Sequence, residues 1–264
     1  MMKSMKQTMN VIWMTMKLQM KQSFARPMFR FCLLINPVVN TIFLYEMFLN
    51  SGEDNFMAYV VLGAGLMGLW CCICFSSAGD INRERFSGTL PLIYVAPEGF
   101  GTIIFGKICG NTLISLLSFG ISYGTAFLLT GKSITIQYPV KFLFAFLTAV
   151  TCFVIVSLCV AYFLMLSRKT ELYMNLLEIP FELLCGFVFP IEILPKWIQY
   201  ISNLLAPTWA VRILKESIAK NNMEKETVYY LILGVEVLIL VAIAVILYRW
   251  MDRSIRKKAT LEVS

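Results

Sequence analysis

The 264-residue chain is 58% apolar, 15% charged and 14% aromatic, with a mean hydropathy of +0.73, 23 Lys+Arg against 16 Asp+Glu, and no histidine. A water-soluble domain holds roughly 45–50% apolar and about 25% charged residues, so this is the composition of a membrane protein. Without histidine the serine–histidine triad, the commonest general acid/base and the usual zinc ligand sets are excluded, and no catalytic residue or metal site is expected. The net charge of +7 does not point to nucleic acid, because the cations punctuate apolar runs instead of forming a solvated stripe. All eight cysteines lie inside apolar runs, where the residue behaves as a small hydrophobe, and the Cys71/Cys74 pair has no second pair to complete a metal or redox site.

In chain order, residues 1–28 form the first unit. Met2, Met5, Met9, Ile12, Trp13, Met16, Met20 and Phe24 recur at three- and four-residue steps, with Lys3, Gln7, Asn10, Lys17 and Lys21 opposite. The pattern predicts an amphipathic helix lying in the membrane interface against lipid, with packing on a partner protein as the alternative. A helix crossing roughly 30 Å of hydrocarbon needs about 20 mostly apolar residues. Six stretches qualify as spans: 29–49, 57–79, 102–130, 139–167, 172–191 and 227–250. The first is too long and starts too late to be a cleaved signal peptide. Residues 29–250 are therefore expected to form a six-helix transmembrane domain, all-α, followed by a basic tail over 251–264.

Lys and Arg are enriched in cytoplasmic loops. With both termini inside, the inner segments hold 14 and the outer ones 7, and the first outer loop, with Glu53 and Asp54, has none. Both termini are thus expected on the cytoplasmic side.

The loop 80–101 is the substantial cytoplasmic stretch between spans. Ser87 or Thr89 is placed to cap a short helix begun at Pro91 and closed by Pro97 and Gly99, better suited to docking a protein than to catalysis. Two runs that mimic a phosphate-binding loop fail. Residues 101–107 have the GxxxxGK spacing, but Ile108 stands where a magnesium-binding hydroxyl is needed; Gly131-Lys132-Ser133 follows an apolar helix, on the outer side. Small-residue pairs four apart, Ala64/Gly68, Gly106/Gly110 and Gly120/Gly124, predict close helix packing.

Glu46, Glu178, Glu182 and Glu236 lie inside predicted spans. Ionisable groups at that depth mark a pathway, a relay or a buried pair. Glu178 and Glu182 share a helical face around Pro180 and are the pathway candidates, facing the bundle interior or a water-filled cavity. In the outer segment 186–226, Pro190, Pro195 and Pro207 divide the chain into short helical pieces, and Trp197, Tyr200 and Trp209 suit headgroup level. The expectation is a broken, partly re-entrant cap.

The run from Gly186 through Phe189-Pro190, Leu194-Pro195 and Trp197-Ile198, followed by Pro207 and Arg212, resembles the signature of type-2 ATP-binding-cassette permeases, membrane subunits of many bacterial exporters. The run Arg83-Glu84-Arg85, Gly88-Thr89-Leu90 and Pro97 resembles that family's cytoplasmic coupling helix, with Pro91 where the family usually has an acid. The resemblance implies a permease in the bacterial cytoplasmic membrane, paired with a second permease and with a separate ATPase subunit that holds the ATP and magnesium. It assigns coupling to Glu84, Arg85, Gly88, Thr89 and Pro97, and an outer gate to Gly186, Pro190, Pro195 and Trp197. Cargo of an amphipathic drug, peptide or lipid-like kind is expected. The alternatives are a lipid-linked polysaccharide, or an ion-coupled secondary transporter working through the membrane carboxylates.

Overall fold

The computed structural model describes residues 5–49, 56–97, 99–131, 136, 138–167, 170–218 and 226–258. The acidic loop with Glu53 and Asp54, the Lys132-Ser133 end of the outer GK-Ser run, Met2, Lys3 and the tail beyond residue 258 lie outside them. The described residues are helical, without strands: α1 (Met5–Ala25), α2 (Pro27–Phe48), α3 (Phe56–Phe86), α4 (Leu90–Tyr94), α5 (Phe100–Ser115), α6 (Leu117–Thr130), α7 (Pro139–Leu166), α8 (Thr170–Leu184), a 3-10 turn (Ile191–Ile193), α9 (Lys196–Asn203), α10 (Ala206–Glu216) and α11 (Glu226–Lys258). Five candidate spans among them are long and apolar enough to cross a bilayer: α2, α3, α5 with α6, α7, and α11. The protein is a multi-pass membrane protein.

α3 is the axis. Its most apolar window is 83% buried, against 11–33% for the other spans, because its glycines let neighbours close in. A Cβ on Gly65 would stand 2.4 Å from the Phe119 ring of α6, one on Gly68 would stand 2.8 Å from Pro37 of α2, and one on Gly63 would stand 2.8 Å from the Phe187 carbonyl. The expected 102–130 span is one helical rod with a turn at Leu116, where one N–H is shared by the Thr112 and Leu113 carbonyls. The Ser115 hydroxyl donates back to the Asn111 carbonyl at 2.6 Å, a contact that bends helices.

The stretch expected as the fifth span, 172–191, differs from expectation. Its helix, α8, is 15 residues long, about 22 Å at 1.5 Å per residue, and ends in a Schellman turn. The Phe187 N–H bonds the Glu182 carbonyl at 3.1 Å, and Gly186 takes φ +72°. α8 nevertheless runs antiparallel along α3: Thr170 donates to Asn82, the Trp70 indole donates to the Glu178 carbonyl at 3.3 Å, and Phe187 closes on Gly63. The segment from Thr170 to Phe187 therefore covers α3 from residue 82 back to residue 63.

α1 carries, beside its expected apolar face, a second face that docks within the chain. Its buried stripe is Met16, Gln19 and Ser23, while Met9, Trp13 and Phe24 are exposed. The helix docks on α5, where a Cβ on Gly110 would stand 2.6 Å from the Met16 carbonyl and one on Gly106 would stand 3.0 Å from the Thr15 side chain. The first small-residue pair of the third span is thus the seat of α1. Gly120 and Gly124 face open space within the chain.

Candidate functional site

Two regions collect the functional candidates, one at each end of the bundle. At the first end, α3 terminates at Phe86 and Gly88 takes φ +66°, the left-handed turn that reverses the chain into α4. Thr89 occupies the N-cap position of α4 as expected, but its hydroxyl does not cap the helix; it turns back to the Glu84 carboxylate. Glu84 also receives Lys107 of α5 in an ion pair. Arg85 donates to the Met165 and Ser167 carbonyls at 2.9 and 3.0 Å, satisfying the open end of α7. Tyr94 donates to Asp252 of α11. Four coupling candidates, Glu84, Arg85, Gly88 and Thr89, therefore sit in one junction, where α3 is joined to α5 and α7, and the five-residue α4 to α3 and α11. Pro97 lies exposed in the turn that follows. α4 is shorter than expected, ending at Tyr94 instead of continuing to Pro97 and Gly99.

Sequence reading missed the polar cluster beside this junction. Asp80 accepts from Gln19 at 2.6 Å, from Asn111 at 3.0 Å and from Arg83 at 3.3 Å, and pairs with Arg26. Ser23 donates to Asn111 at 2.6 Å. Buried polar groups are tolerable where they find partners; here the partners come from α1, α3, α5 and Arg26 between α1 and α2, and the Gln19 Oε1 alone of the cluster is left without one. The one available signal was Gln19 and Ser23, polar residues four apart that lie away from the face of Gln7, Asn10, Lys17 and Lys21. The GxxxxGK run lies inside or just before α5, with no loop around it: Lys107 is spent on Glu84 and Gly106 on α1.

At the opposite end, Gly186 ends α8 and is buried against Ile191, to whose Cγ1 a Cβ would approach within 2.9 Å. Pro190 and Pro195 are the N-caps of the 3-10 turn and of α9, their fixed φ starting each piece. Trp197 and Tyr200 project outward, exposed, and the expected broken cap is present as short helices. Unforeseen is Lys215 of α10. Its ammonium donates to the Gly186 carbonyl at 2.6 Å and the Phe187 carbonyl at 3.2 Å, closing the unpaired end of α8. Burial holds the Lys215 amine down at about 8, with Glu192 acting in the opposite sense. In sequence Lys215 reads as one more cation of an outer loop.

Glu178 and Glu182 are both half-buried on α8. Glu178 reaches the Cys71 thiol, where α2, α3 and α8 meet. Cys74 packs in the main core while Cys71 joins a separate cluster with Cys32, so the two thiols of the CxxC face different neighbours.

Residues 10–218, from α1 to the end of α10, match the ABC-2 type transporter family. The chain belongs to the ABC-2 type transporter family. It is a permease component, and α11 lies beyond the matched region. No curated protein matches the chain. In this ABC-2 permease the matched region contains both junctions, the α4 turn and the broken cap at the opposite end.

Proposed function

We propose that the chain is the transmembrane half of an ATP-driven exporter. It forms a homo- or heterodimer with a second permease and receives a separate ABC ATPase, the holder of ATP and magnesium, at the α4 end. Both termini and α4 are cytoplasmic in a bacterial cell membrane. The segment from Thr170 to Phe187 completes a six-crossing layout, which its antiparallel run along α3 supports. α1 lies at the cytoplasmic leaflet, its exposed Met9, Trp13 and Phe24 against lipid. The cargo is an amphipathic drug, peptide or lipid-like molecule.

The observation that carries this reading is the α4 junction. Phe86, Leu92 and Val95 are 77%, 67% and 74% exposed at that end, an apolar surface such as a partner covers. Behind it, Thr89 and Tyr94 tie the short helix to α3 and α11, and Glu84 and Arg85 tie that end of α3 to α5 and α7. A partner that displaces α4 therefore pulls directly on α3 and α11, and through α3 on α5 and α7. Binding energy can shift the bundle between conformations only through such differential contacts.

The test is co-purification of the tagged chain in mild detergent with an ATPase assay. An ATP-hydrolysing partner is expected with the wild type and lost with the Glu84→Ala/Gly88→Trp double variant. A folded chain that comes out alone would contradict the proposal. Transport abolished by Glu178→Gln/Glu182→Gln yet indifferent to ATP depletion in a clamped gradient would favour ion coupling.

A further inference from the structure

The outer end carries a half-open cavity of about 470 Å³, lined by Phe48, Phe56, Val188 and Val211 together with Thr208 and Lys215. Its size is that of sites for small amphipathic ligands, roughly 300–1,000 Å³. Two polar groups on its wall lack protein partners for all their capacity. Lys215 satisfies two carbonyls with two N–H groups, as a neutral amine would; an ammonium has three donors, and no described carboxylate pairs with this one. Thr208 is fully buried, and its hydroxyl meets the Cys185 thiol, a weak partner, and no oxygen or nitrogen among the described residues. Glu192, the nearest acid acting on Lys215, is engaged by Arg212 at 2.8 Å.

A half-buried ammonium with no described carboxylate paired to it gains from a counter-charge, and a buried hydroxyl that meets only a thiol gains from a stronger acceptor. One anionic group supplies both. We propose that this cavity binds the head of an anionic amphiphile, a phosphate or carboxylate accepting from Lys215 and Thr208 while its apolar part lies on Phe48, Phe56 and Val211. The inference rests on the permease reading and makes the cavity a cargo station at the outer face. Arg212, Lys215, Glu192 and Glu216 all line it, so the wall charges cancel. The head is held by direct bonds and not by a net field.

The experiment uses the permease purified with its ATPase in uncharged detergent and titrated with dodecyl phosphate, dodecanoate, dodecanol and inorganic phosphate, with bound probe counted by native mass spectrometry. Dodecyl phosphate or dodecanoate is expected to bind at one per chain. Lys215→Met is expected to weaken binding about tenfold or more, the effect of removing a charged hydrogen-bond donor, and Thr208→Val to weaken it by a smaller factor. Should Lys215→Met fail to fold, Thr208→Val carries the test alone. Dodecanol binding as well as dodecyl phosphate, inorganic phosphate binding as tightly as the amphiphile, or variants that bind like the wild type would each overturn the proposal. If the ATPase remains bound in those cases, the permease reading stands and the cavity assignment alone fails. If the wild type never recovers an ATPase, the permease reading itself fails.

Discussion

Asp80 gathers donors from three helices, and its removal leaves Arg26 and Arg83 without the carboxylate they share. Breaking a buried charge pair by deleting one partner costs about 3–5 kcal/mol, and Arg26 is partly exposed, so Asp80→Ala is expected near the lower end of that range. Thermal unfolding in detergent reads the loss, with Asp80→Asn milder because it keeps part of the hydrogen bonding. Lys215 makes a prediction in pH. Its amine titrates at about 8 in the folded chain against an ordinary 10.5, so between those values the unfolded chain binds more protons and stability rises with pH. Below about pH 8 the full cost of the buried charge is present. Lys215→Met is expected to flatten the rise between about 8 and 10.5, measured as the melting temperature against pH. Glu84 and Arg85 were legible in sequence because they flank an apolar run and match a known motif. Asp80, Gln19 and Asn111 were not: their partners stand 61 and 31 positions apart, and only the packing of α1 on α5 brings them together.

Among the elements, the spans that read most clearly, α3, α7 and α11, are continuous apolar runs whose ends are set by charge or proline. α8 was misjudged in length because its apolar run continues to Ile191 while the backbone stops at Gly186. Hydrophobicity does not register a left-handed residue. Gly186→Ala is expected to cost about 1–2 kcal/mol from φ alone, and more from the 2.9 Å approach to Ile191; unfolding in detergent checks it. The amphipathic character of α1 was legible, but its docking face was not. Periodicity ranked the residues by polarity, whereas the seat is fixed by what Gly106 and Gly110 leave room for. Gly110→Leu is expected to lift α1 off α5, because its Cβ would lie 2.6 Å from the Met16 carbonyl. Limited proteolysis should then cut within residues 5–25 at a rate the wild type does not show.

At the scale of the molecule, the two junctions share the same long helices. α3 leads from the Glu84 junction to Gly63 beneath Phe187, and α7 runs from the Arg85 contacts to the core under α10. Under the proposed function, movement of α4 by an ATPase is carried to the cavity at the opposite end along these helices. Family membership was legible from the two motifs, while the cavity was not, because its wall draws on α2, α3, the segment after α8 with its 3-10 turn, and α10, and no single segment carries its pattern. Cys185, fully buried in the wall of that cavity, reports on its opening when its labelling is read by peptide mass apart from that of the more exposed Cys109 and Cys159. The decisive measurement is the rate at which a membrane-impermeant maleimide labels Cys185 in the reconstituted permease and ATPase, with the ATPase trapped in its ATP-bound state or left without nucleotide. The account predicts that trapping changes the rate severalfold and that Glu84→Ala abolishes the change. An identical rate in both states, with ATPase bound and trapped, would contradict it.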